Sequence, residues 1–197
     1  RLMKSTDYGD TWTEVAHFNT DGATTQIRHI HTVRQDPYSK NIYIGTGDFD
    51  AETGIIIWDG KTNLHSNSYA DFAVRGKQRY RVCDFIFTEN NVFLFSDAAS
   101  PESERGIWKA SKDLTAYERV NNDIKDFPLH LGWFGLRTTS GTLLFIDSTY
   151  TASDFQLNIF ASGDNGTTWK IVGKFGAPIA TYGIRDIFER DGKIYIS

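Results

Sequence analysis

The chain has 197 residues, enough for one sizeable core, with 40% hydrophobic and 23% charged residues and a formal net charge of -4. That balance excludes a disordered chain and argues against a general binder of nucleic-acid phosphates. The single Cys83 excludes an internal disulfide, and no apolar run approaches the roughly 20 residues of a membrane helix, so neither nucleic acid nor membrane insertion is expected.

Aromatic residues reach 14%, and short apolar runs are broken by Asn, Asp, Gly and Ser pairs, so each element is expected to be a strand. The first device is the polar turn STDYGDTW (Ser5 to Trp12), followed by the strand WTEVAHF. Next come IRHIHTV from Ile27, the turn DPYSKN, the strand IYIGTGD ending at Asp48, and GIIIW. A turn at Asp59 leads into YADFAVR. The order then repeats: YRVCDFIF from Tyr80, TENN, VFLFSD ending at Asp97, GIWKAS, a turn at Asp113, and AYERV. It repeats again with LGWFGLRT from Leu131, TSG, LLFIDS carrying Asp147, LNIFAS, SGDNGTTW and WKIVGKF. YGIRDIF from Tyr182, RDG and IYIS close the chain.

The turns are evenly spaced. Asp59 follows Asp7 by 52 residues, Asp113 follows Asp59 by 54, and Asp164 follows Asp113 by 51. Four short antiparallel strands per unit of this length predict an all-β fold, a β-propeller of four-stranded antiparallel blades. About three and a half blades are expected in one partial domain spanning 1–197. Residues 1–26 end one blade, 27–79, 80–130 and 131–179 form three more, and 180–197 start the next. The chain reads as a fragment, with the remaining blades supplied by the same longer polypeptide.

STDYGDTW and SGDNGTTW match S-x-D-x-G-x-T-W at every specified position. The chain thereby resembles the Asp-box (BNR-repeat) propeller class, the sialidase-like superfamily. That class includes sialidases, xyloglucan-cleaving glycosidases, sortilin-type receptors and photosystem assembly factors. The box residues Ser5, Asp7, Gly9, Thr11, Trp12, Ser162, Asp164, Gly166, Thr168 and Trp169, with Asp59 and Asp113 in degenerate copies, are expected to be structural. Gly9 and Gly166 permit a positive φ, the aspartates accept from backbone N–H groups, and Trp12 and Trp169 anchor each turn between neighbouring sheets. An EF-hand reading of DNG fails, because no Glu follows at the required position.

Strand direction places all boxes at one end of each blade, here end B. The longer loops DFDAET, DAASPESER and DSTYTASDF fall at the opposite end A, where the resemblance implies a ligand site. Arg28, Arg81 and Arg185 recur 21 or 22 residues after their box aspartates, and Asp48, Asp97 and Asp147 close the second strands. Two readings stand. One is a repeated Arg–Asp bridge within each inner hairpin, pairing Arg28 with Asp48 and Arg81 with Asp97. The other is a cluster of arginines able to hold a carboxylate or sulfate. His29 and His31 share a strand face and join Arg28, Arg81 and Arg185 as candidate ligand-binding residues, but no third metal ligand falls at a matched spacing, so neither a metal nor a cofactor is expected. Phe49, Tyr150 and Phe155 can stack on sugars from end A, while Tyr38 belongs to end B.

The leading functional expectation is a recognition module for a glycan or another anionic surface ligand, extracellular or surface-associated. A glycoside hydrolase using Asp48, Asp97 or Asp147 is the alternative. Against it, the Arg-Ile-Pro signature of sialidases is absent, and no Glu partner can be named for Tyr80 or Tyr182. A structural propeller that docks proteins is a third possibility.

Overall fold

The computed structural model describes residues 1–18, 27–98, 100–120, 130–151, 154–177 and 186–197. These form sixteen strands and two short 3-10 turns, with no α-helix among the described residues. β1 (Leu2–Lys4) pairs with β2 (Thr13–Ala16). The first four-stranded antiparallel sheet is β3 (His29–Gln35), β4 (Ile42–Gly47), β5 (Gly54–Trp58) and β6 (Phe72–Arg75). The second is β7 (Val82–Phe87), β8 (Asn91–Ser96), β9 (Gly106–Ser111) and β10 (Tyr117–Arg119). The third is β11 (His130–Arg137), β12 (Leu143–Thr151), β13 (Asp154–Ser162) and β14 (Lys170–Ala177). β15 (Ile187–Arg190) pairs with β16 (Lys193–Ile196).

Each sheet is a meander in chain order, and the first strands are neighbours in space: β3 with β7, β7 with β11, β11 with β15. Successive sheets pack face to face. The alternation of side chains along a strand therefore buries both sets of residues. In β8, Val92 and Leu94 join Tyr43, Ile55, Val82 and Trp108 in the layer shared with the first sheet. Phe93 and Phe95 join Leu143, Phe145 and Phe160 in the layer shared with the third. Each such aromatic contributes about 2–3 kcal/mol by area burial. This is why VFLF is apolar at every position rather than at every second one.

The strand expected from Tyr80 starts two residues later. Gln78–Tyr80 form a 3-10 turn after Gly76, whose φ is +84°, and β7 begins at Val82.

The two full box turns have the same internal network. Ser5 Oγ donates to Asp7 Oδ1 at 2.7 Å and accepts from Gly9 N at 2.8 Å. Thr11 donates to the Asp7 carboxylate from N at 2.9 Å and from Oγ1 at 2.5 Å. In the second copy, the Ser162, Gly166 and Thr168 bonds measure 2.7, 2.8, 2.9 and 2.6 Å. Gly9 and Gly166 take φ of +101° and +83°. Asp59 accepts from Lys61 N and Thr62, and Asp113 from Ser111 Oγ and Thr115. Hydrogen bonds to the ionised form, from Thr11 first, hold Asp7 down to about 2. Those from Thr168 hold Asp164 lower still.

The two tryptophans differ. Trp169 packs on Phe145 and on Phe93 of the sheet before its own, with ring centroids 4.8 and 5.7 Å away. Trp12 is 60% exposed, contrary to expectation, and its Nε1 donates to Gly9 O within its own turn. The β1–β2 pair packs forward, through Leu2 and Val15, against Ile44, Ile56 and Trp58 of the first sheet.

A buried carboxylate ties three sheets together. Asp84, in the apolar run of β7, accepts from Arg34 Nε and Nη2 at 2.7 and 3.0 Å and from Gly135 N of β11 at 3.0 Å. It also accepts from Phe85 N at 2.8 Å. This tie sets the first strands of the three sheets against one another.

Candidate functional site

The β3–β4 and β7–β8 pairings bring the starts of the inner strands against the loops that follow the second strands. His29 lies opposite Gly47 and Val82 opposite Ser96, which sets Asp48 and Asp97 beside residues 28–31 and 81–83. All three inner hairpins carry a β-bulge at the same place, at His31, Cys83 and Trp133. Bulges re-aim side chains and concentrate beside functional sites.

Asp48 is the hub. Its Oδ2 lies 2.9 Å from His29 Nδ1, and its Oδ1 lies 3.2 Å from His31 Nε2 and 3.4 Å from an Arg81 Nη2. Arg81 Nε lies 2.8 Å from Asp97 Oδ1, an ion pair without the alignment of a hydrogen bond. His31 Nδ1 faces Cys83 Sγ at 4.0 Å. The two carboxyls titrate in opposite directions. Burial opposes ionisation of Asp48, but His29, Arg81 and His31 outweigh it and hold the group below the usual carboxylate range. Burial pushes Asp97 up, with Arg81 and His31 offsetting only part of it. Burial also pushes the Cys83 thiol up.

The expected Arg81–Asp97 bridge is present, while the expected Arg28–Asp48 bridge is not. Arg28 Nε pairs instead with Glu52 Oε1 at 3.3 Å. The 48–53 loop curls back, with Glu52 N and Thr53 N donating to Phe49 O, and this tucks the Glu52 carboxylate beneath the strand end. Glu52 Oε2 also accepts from Asp48 N. Arg28 stays half-exposed and lies over the Phe49 ring, 4.4 Å from its centroid.

Asp147 does not join this cluster. It is 1% exposed within the third sheet and accepts from Asn158 Nδ2 at 3.0 Å. Tyr150 lies on β12 opposite Phe155, and the side chains of both lie outside the described residues, as does all of Arg185. Tyr38, at end B, meets Arg137 and the Lys112 ammonium.

Sequence reasoning missed Glu52, Cys83 and the Arg34–Asp84 tie. Asp84 carried a usable signal, because a lone carboxylate inside an apolar strand must be paired when buried. Glu52 carried none, since its role depends on the loop curling back.

The cluster exposes Arg28, His29 and the Phe49 ring for contact, over a set of buried or half-buried acids. It also contains two sets of metal-ligating atoms lying within 4.8 Å of one another, His29–His31–Asp48 and His31–Cys83–Asp97. Among the described residues no helix is long and apolar enough to cross a membrane. Compared with known proteins, the chain matches no family model, and no curated protein matches it.

Proposed function

We propose that the chain is part of an Asp-box β-propeller, extracellular or surface-associated, whose end-A face recognises a glycan or another anionic ligand. The repeat near 52 residues, the meandering four-stranded sheets and the neighbouring first strands support the architecture. The recognition reading is carried by Arg28: a buried Glu52 carboxylate grips one edge of its guanidinium, Phe49 lies under its face, and the rest meets solvent. A guanidinium oriented in this way is suited to a planar carboxylate or sulfate, and the adjacent ring to the apolar face of a sugar. Glycan-array screening of the intact protein, followed by titration with the best acidic glycan, tests it. Arg28→Ala should weaken binding at least tenfold, whereas equal binding by this variant would remove the assignment.

One observation favours glycoside hydrolysis as a second reading. Asp97 is pushed up and Asp48 held down, as a proton donor and a carboxylate base require. This reading predicts turnover of aryl glycosides that falls by about 10²–10⁴-fold in Asp97→Asn. Undiminished turnover in that variant would leave recognition alone.

A further inference from the structure

We propose that His29 Nδ1, His31 Nε2 and the Asp48 carboxylate hold one divalent transition-metal ion of the zinc class at the loop end of β3, with the remaining coordination positions open to solvent. Two imidazoles and one carboxylate form a donor set that such ions accept, and three protein ligands leave room for an exchangeable fourth. One ligand atom from each residue lies within 4.8 Å of the other two. Bonds of about 2.0–2.2 Å in a tetrahedral arrangement place neighbouring ligand atoms about 3.3 Å apart. The two imidazole nitrogens already lie 2.9 and 3.2 Å from the two Asp48 oxygens.

Independent features of the fold build this arrangement. The bulge at His31 breaks the regular β3–β4 register and turns the ring toward Asp48. Gly47 leaves room for it, since a Cβ there would come within 2.7 Å of His31 Cε1 and 3.0 Å of Arg81 Cγ. His31 Nδ1 faces Cys83, so the ring presents Nε2 to the cluster, an orienting contact of the kind that surrounds metal ligands. Exposure is graded, with the His31, Asp48 and His29 side chains 11%, 20% and 61% exposed. The site is thus anchored inside and open outside.

The alternative set, His31–Cys83–Asp97, is less suited. Arg81 Nε already occupies Asp97, and the set lacks the exposed member that an exchangeable ligand requires. Arg81 also reaches Asp48, but at 3.4 Å against 2.8 Å to Asp97, so an ion at Asp48 displaces only the weaker of its two contacts.

The inference is independent of the glycan reading. A protein that binds metal but no glycan supports the one and removes the other. The test uses the intact protein, stripped with a chelator and titrated with zinc alone by calorimetry and with cobalt as an optical probe. The expected result is one equivalent of zinc that is lost in His29→Ala, with affinity lowered at least about a hundredfold there and in Asp48→Asn, and within about tenfold of wild type in Cys83→Ser. Cobalt should give ligand-field bands without a thiolate charge-transfer band. His29 is exposed on a strand end, so metal-free His29→Ala should melt at the wild-type temperature, and zinc should raise the melting temperature of the wild type and of Cys83→Ser but not of His29→Ala. No zinc uptake by the wild type, or undiminished uptake by His29→Ala, overturns the proposal. A charge-transfer band that disappears in Cys83→Ser also overturns it, by placing the ion at the buried set.

Discussion

Removing Arg34 should show how much of the stability rests on one buried carboxylate. The Asp84 side chain is 1% exposed and that of Arg34 46% exposed. Two unit charges about 4 Å apart attract by about 4 kcal/mol at an effective dielectric constant of 20, and stripping the partner from a buried charge typically costs about 3–5 kcal/mol. Here water reaches the outer half of the guanidinium, and Asp84 keeps the N–H groups of Phe85 and Gly135. Arg34→Ala is therefore expected at the lower end, about 2–3 kcal/mol. Asp84→Ala leaves those two N–H groups without an acceptor and should cost about 3 kcal/mol, because each unsatisfied buried donor costs about 1–3 kcal/mol. The two losses should not add. The double variant should cost about 2 kcal/mol less than the sum of the singles, since the pair is then removed together. Urea unfolding of the four proteins measures this directly. A coupling below about 0.5 kcal/mol would refute the claim that the Arg34–Asp84 ion pair contributes to the tie.

Three further outcomes are expected. A carboxyl depressed in the folded state contributes stability above its unfolded pKa, near 3.9, and loses it as pH falls through the folded value, about 2 for Asp7. The melting deficit of Asp7→Asn should thus be greatest above about pH 4 and close toward about pH 2; an equal deficit at both would show that titration is not involved. Gly166→Ala should destabilise by about 2–4 kcal/mol, since it adds a clash with the Phe93 ring to the positive-φ strain, while Gly9→Ala, with only Trp12 nearby at 3.9 Å, should cost about 1 kcal/mol in chemical denaturation. Trp169→Ala should cost about 3–5 kcal/mol, because its ring packs on Phe93 and Phe145 between two sheets; a loss under about 1 kcal/mol would refute that packing.

Local order was legible because it is made by near neighbours. Ser5, Asp7, Gly9 and Thr11 bond one another across two to four residues, so the motif itself contains the donors, the acceptors and the permissive backbone. The same holds for the β7–β8 hairpin, where Val82 opposite Ser96 sets Arg81 beside Asp97. The four-stranded meander followed from the spacing of these turns. Strand direction likewise separates the boxes from the long loops, which is a matter of chain order alone.

Tertiary structure decided which charges meet. Arg28 and Asp48 are as well placed in sequence as Arg81 and Asp97, yet the curl of the 48–53 loop gives Arg28 to Glu52 and leaves Asp48 to the two histidines. The histidine pair lacked a third ligand because Asp48 lies 17 residues from His31 and joins it only through β3–β4 pairing and the bulge. Cys83 meets His31 across 52 residues, between two sheets. A turn satisfies its polar groups from within, so its chemistry can be read along the chain. A site assembled from the ends of separate strands is set by packing between sheets, and no local pattern records it.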